Sequence, residues 1–223
     1  MRLYFQSSDF ALELKEGKVQ GVCIESPKIM KTMVQDLWDS LHGKDAPLFL
    51  TDQEKVFKLD KEVAIIWHPY LIDVNERKII SKLYQEMQEI VDEEMSIEKS
   101  ALNSAIVNFL DSAVQLVPYP ISFTLDIDIQ ALFKDYSLKI DVDGEGLLDN
   151  IINYIKLSHQ IIKSRIYVFF HLCSYLDKEE IGYLSEMAKY EGVTLLLIEG
   201  HLPEEKTAEE WLIIDRDQCM IQL

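Results

Sequence analysis
The chain has 223 residues, 48% of them apolar, and a formal net charge of −17 at neutral pH. That apolar share is ample for a buried core, and no run of about eighteen apolar residues offers a membrane span. The acidity excludes casual attraction to nucleic acid or acidic membranes, so a DNA-binding role requires the few cations on one surface or bound metal ions.

In chain order, residues 2–6, 10–14 and 19–25 read as short strands separated by turns at Ser7-Ser8-Asp9 and Glu16-Gly17-Lys18. The opening Met1-Arg2-Leu3-Tyr4-Phe5-Gln6 has no signal-peptide apolar stretch, and the three cysteines, read as reduced thiols, suit a cytoplasmic protein. A helix follows, with Ser26 as N-cap, Pro27 at its first position, Gly43 as its stop and Ile29, Met33, Leu37 and Leu41 as its core stripe. Pro47–Thr51 and Val56–Leu59 read as strands, and the apolar run from Val63 to Trp67 reads as a strand buried on both faces.

The character changes after Asp73. Residues 76–95 carry Ile80, Leu83, Met87 and Val91 at helical spacing, and about 97–117 carry Ile106, Phe109, Leu110, Ala113 and Val114. These two long helices are expected to pair, and Pro118-Tyr119-Pro120 ends the second. Ile121 to Ile129 alternates strictly, which predicts a half-buried strand. A helical turn at 130–135 and a second alternating strand at Leu138, Ile140 and Val142 would complete a small β unit. Residues 74–145 thus form a helical leg inserted into a head made of 1–73 and 146–223.

The head resumes with a helix over 147–163 and a buried strand, Ile166-Tyr-Val-Phe-Phe170. A helix opened by an Asp177/Glu180 capping box and closed by Gly192 comes next, then a second buried strand, Val193–Ile198. A short closing strand lies in Trp211–Cys219. Strand–helix–strand with apolar runs predicts a parallel crossover. The fold class is therefore α/β, with a mostly parallel sheet laid out like a P-loop ATPase core. The phosphate loop is missing: neither G-x-x-x-x-G-K-[ST] nor G-x-G-x-x-G occurs.

The remaining chemistry is sparse. Thr194-Leu-Leu-Leu-Ile-Glu199 looks like the strand-end carboxylate that holds magnesium water in ATPases, or else is a surface acid. His42, His68, His159, His171 and His201 show no metal-ligand spacing, although His68 follows a buried strand where sites often lie. Cys23, Cys173 and Cys219 read as reduced, buried thiols. Asp141, Asp143, Glu145, Gly146 and Asp149 match several positions of a calcium loop, but Ile152 stands where the closing Glu belongs, which argues against an EF-hand. With Asp126 and Asp128 they make a dense set of oxygen donors suited to Ca²⁺, or else a solvated acidic rim. Asp149, Asn153, Lys156, Gln160 and Lys163 share one helix face, with Arg165 following: a candidate phosphate contact, or else ordinary solubilising lysines. Lys28, Lys31, Lys134 and Lys139 are weaker candidates.

The stretches Ile166–Glu180, Val193–Glu199 and Ile213–Cys219 resemble the Csn-two family of type II-A CRISPR systems. The resemblance extends in outline to the opening Met-Arg-Leu-x-Phe and the two long acidic helices, and is sharpest over 147–223. It implies a non-catalytic homotetrameric ring around double-stranded DNA that favours free ends. The ring would be supported by calcium and would act in spacer acquisition beside the integrase subunits and the effector nuclease, with no membrane partner. By position, the family's calcium region falls on Asp126, Asp128, Asp141 and Asp143. Individual DNA contacts do not transfer, so Lys156, Lys163, Arg165, Lys134 and Lys139 rest on the residue reading alone. Two other readings stay open: an atypical nucleotide-binding or hydrolysing enzyme with a site near His68 and Glu199, and a protein-interaction scaffold that does not touch DNA.

Overall fold
Alternation of apolar and polar residues builds the first layer. A computed structural model describes residues 1–44, 48–52, 55–204 and 207–223. In β1 (Arg2–Phe5) and β2 (Phe10–Glu13), Leu3, Phe5, Phe10 and Leu12 point inward. Phe5 stacks on Phe10 at 4.8 Å where the two strands pair. With β4 (Leu48–Asp52) and β5 (Lys55–Phe57) they form an antiparallel sheet in the order β2-β1-β4-β5. Pro47, expected to begin β4, lies outside the described residues.

The second sheet is six-stranded. Its members are β3 (Val19–Ile24), β6 (Val63–Ile66), β7 (Ile166–Phe170), β8 (Thr194–Glu199), β9 (Glu210–Ile214) and β10 (Met220–Gln222), in the order β10-β9-β3-β8-β7-β6. All neighbours run parallel except the closing β9–β10 hairpin. Strands β7 and β8 are buried at every position, as continuous apolar runs require. β6 differs from expectation: it is an outer strand, so Ala64 and Ile65 are only half-buried. Cys219 also differs. It sits exposed at the β9–β10 turn, whereas Cys23 is buried.

One face of this sheet supplies Val22, Ile24, Val168, Phe170, Leu196 and Ile198 to a core shared with the antiparallel sheet. Ile29, Met33 and Leu37 of α1 (Pro27–Leu41) join them. The other face lies under α6 (Leu147–Ile162) and α7 (Lys178–Glu191), where the Tyr167 hydroxyl bonds Ser158 at 2.8 Å. On β3, Gly21 is obligatory: a Cβ there would stand 2.4 Å from the ring of buried Trp211. The capping box of α7 forms in both directions, each bond 2.9 Å, and Gly192 closes the helix at φ 68°. A cap of this kind contributes about 1 kcal/mol. A short helix, α2 (Leu59–Glu62), precedes β6.

The chain divides into two units, Met1–Val74 with Val142–Leu223, and Asn75–Asp141. The second holds α3 (Arg77–Glu94), α4 (Ser96–Val114) and α5 (Ile129–Asp135). Only Met95 separates α3 from α4, and Lys99 pairs with Asp92 at 2.5 Å across that junction. α5 is fixed to α3 by the Tyr84 ring against Phe133 and by the Tyr84 hydroxyl, which donates to the Leu138 carbonyl at 2.8 Å. The Asn75 side chain holds both the N–H and the carbonyl of Ile140. The small β unit expected at 121–142 does not form. Residues 121–128 and 138–141 are irregular, because alternation makes a strand only where a partner strand completes the ladder. Here the Leu125 carbonyl accepts from Asn103 of α4, and Asp128 instead caps α5.

Candidate nucleic-acid interface
In open parallel α/β sheets, ligands bind outside the carboxyl ends of the strands, and phosphates sit on the free N–H groups that open a helix. Here that phosphate position is closed. β3 ends at Ile24 and α1 begins at Pro27, so the link is only Glu25 and Ser26. Pro27 removes one N–H from the helix start, and Glu25, two residues before it, is exposed.

The neighbouring acid is committed as well. Glu199 ends β8 and is 4% exposed. One carboxylate oxygen accepts from the Cys173 N–H at 2.9 Å, and the other lies 3.7 Å from His171 Nδ1. Burial raises its pKa above the usual glutamate range, partly offset by the Cys173 N–H. Burial likewise pushes the Cys173 thiol up to about 12, so it is no ready nucleophile. This group anchors the turn after β7.

Ion pairs hold part of the cations. Arg2, Lys15, Lys18, Lys44 and Lys99 are held by Glu13, Glu210, Glu209, Asp39 and Asp92. Arg165 is held too: its Nε donates to Glu62 at 2.8 Å and its guanidinium covers the Phe57 ring at 5.4 Å. Of the three head-unit candidates it is the least available. Lys156 and Lys163 have no ion-pair partner among the described residues. Lys156 is half-buried on α6 near exposed Gln160, and exposed Lys163 caps the C-terminus of that helix in the left-handed region at φ 69°. Asn153, on the same line, is used internally, bonding the Asp143 carbonyl at 2.8 Å.

Lys134 and Lys139 are exposed in the second unit. Lys134 lines a groove of about 710 Å³ with Arg77, Tyr84, Gln130 and Asp128. Arg77 escaped the sequence reading because α3 was judged by its apolar stripe and acidic end. Its position in the first turn, beside Asn75, was the available signal.

Asp126, Asp128 and Asp141 belong to the second unit and Asp143 to the first, and all four are exposed. Asp128 Oδ1 is occupied by the Ala131 N–H at 3.0 Å. Among the described residues, no group of three or more His, Cys, Asp or Glu is arranged to hold a metal ion.

The CRISPR-associated Cas_Csn2 family model matches residues 41–218. The chain belongs to the Csn2 family. The CRISPR-associated protein Csn2 of Enterococcus faecalis is 19% identical over 140 residues, spanning 60% of this chain and 62% of that protein's length. The crystal structure of Stu0660 of Streptococcus thermophilus is similar over 96% of this chain and 74% of its own, with a TM-score of 0.62 at 12% identity. CbiO1 of Clostridium perfringens, part of an ABC transporter complex, is similar over 96% and 80%, with a TM-score of 0.52 at 11% identity. These two likenesses concern the fold, an ATPase-like α/β head. This Csn2-family chain therefore has a CRISPR-associated role. Among the described residues, no helix is long and apolar enough to cross a membrane.

Proposed function
We propose that this chain binds double-stranded DNA through its phosphates, independently of sequence and with a preference for free ends. It does so without catalysis, as a homotetrameric ring in the cytoplasm, during CRISPR spacer acquisition beside the integrase subunits and the effector nuclease. The observation that carries the reading is the pair Lys156 on α6 and Lys163 at its C-terminal cap, neither held by an acid among the described residues, in a chain of net charge −17. Two point charges seven residues apart on one helix lie about 10 Å apart along its axis, within reach of successive backbone phosphates. Lys134 and Arg77 in their groove, with Lys139, supply a second phosphate contact. Arg165 is left out because Glu62 already holds it.

The closed phosphate position supports the absence of catalysis. A ring reconciles the net charge of −17 with DNA, because an acidic exterior repels non-specific contacts while inward lysines meet the duplex. Calcium is a separate proposal: the exposed carboxylates of Asp126, Asp128, Asp141 and Asp143 are hard oxygen donors of the kind that ion takes. The test is light scattering with mobility shifts on linear and closed-circular duplex, in calcium and in chelator. A tetramer that shifts linear duplex agrees with the reading; a monomer that ignores DNA in calcium overturns it. Equal binding in calcium and chelator removes the calcium proposal alone.

A further inference from the structure
The carboxyl end of β6 carries an aromatic wall that the phosphate contacts leave unused. Pro69 is buried and starts a single tight turn, Pro69–Leu71, closed by the Leu71 N–H on the His68 carbonyl at 3.0 Å. The Tyr70 N–H donates to His68 Nδ1 at 3.2 Å, which makes Nδ1 the acceptor and leaves the proton on Nε2. That Nε2 lies 3.2 Å from the Tyr175 hydroxyl and donates to it. The three rings stand 5.3 to 6.0 Å apart, Tyr70 edge-on to Tyr175. Behind them Trp67 stacks on Phe170 at 4.8 Å. Tyr70 is nonetheless 67% exposed and Tyr175 42%.

We infer that this wall stacks an unpaired nucleobase at a DNA end. The inference rests on the proposed duplex binding and adds to it a contact for the terminal nucleotide. Three observations favour a base over other ligands. The wall stands at the carboxyl edge of the parallel sheet, where this class of fold binds ligands. It offers a preordered ring face with no carboxylate among its three side chains, and an aromatic face accepts any base. Finally, the Tyr175 hydroxyl, already accepting from His68, still has its own proton to donate, and every base presents an acceptor on its edge. Phosphate contacts fix a duplex in register but do not distinguish its end; a stacking site does.

The experiment compares blunt duplex with the same duplex carrying a short single-stranded overhang, its outermost base replaced by 2-aminopurine. The expected result is about ten-fold tighter binding of the overhang form, with quenched fluorescence. Tyr70→Ala should abolish both while leaving blunt-duplex affinity within about two-fold, and Tyr70→Phe should retain both. Far-UV circular dichroism unchanged in Tyr70→Ala excludes misfolding, as its exposure predicts. Equal binding of both duplexes by the wild type, or a preference that survives Tyr70→Ala, overturns the inference and leaves duplex binding standing. Binding of neither duplex overturns both.

Discussion
The two units spend their apolar residues differently. Among the described residues, the second unit contributes only Ile79 and Ile129 to the buried hydrophobic set, and all the other members belong to the first. α4 has no buried residue at all, yet it and the segments beside it expose Ile97, Phe109, Leu116 and Leu125. An apolar helix with no buried side gains little from the fold of its own unit. The first unit is held by its own core, and the second leaves apolar side chains exposed; we propose that a partner covers them. In the proposed function that partner is another copy of the chain.

Substitutions that strike each unit in turn sharpen this contrast. The largest effect is expected at Trp211, which is 1% exposed and packed on Gly21. Trp211→Ala should cost roughly 3–5 kcal/mol of unfolding free energy in chemical denaturation. Phe109→Asp in α4, by contrast, should change unfolding by less than about 0.5 kcal/mol, because that side chain is 71% exposed. It should instead lower the oligomer mass seen by light scattering. A large loss of monomer stability from Phe109→Asp would show the helix to be core, and the contrast would collapse.

Next in size is the charge reversal Lys156→Glu with Lys163→Glu. We expect duplex affinity to fall at least about ten-fold at moderate salt, and the salt dependence to become shallower by about one phosphate per lysine removed. Unfolding should change little, as neither lysine makes an ion pair among the described residues. Arg165→Ala is the matching control: it breaks the pair with Glu62, at a cost of up to about 1 kcal/mol for this part-exposed pair, and leaves DNA affinity as it was.

The smallest effect concerns pH. Burial raises the folded pKa of Glu199, so the folded state binds its proton more tightly than the unfolded chain does. The stability from that group is present in full below the unfolded glutamate value and is lost as pH rises through the folded value. Glu199→Gln should remove this descending step from a stability–pH profile and leave DNA binding intact. A profile that keeps the step would assign it to another group.

The head's layers were legible from sequence because two local signals agree there. Apolar runs at 166–170 and 193–198 have neighbours on both sides in the sheet, and the capping residues Asp177, Glu180 and Gly192 sit where the helix ends. The leg was less legible. Ile121–Ile129 has the period of a strand but no partner, and hydrogen bonds from Asn103 and within the Asp128 cap decide its path. Period alone specifies which residues share a face, not what lies opposite. The candidate site divided in the same way. The spacing of Lys156 and Lys163 placed them on one face, but nothing in Arg165 announced a partner 103 residues away at Glu62.

The central claim is phosphate-led binding of duplex ends, and the most direct measurement is a mobility shift of linear against closed-circular duplex across a salt series. The account predicts a shift of the linear form that weakens steeply with salt, and little or no shift of the circle. Equal shifts of both forms, or none at any salt, would contradict it.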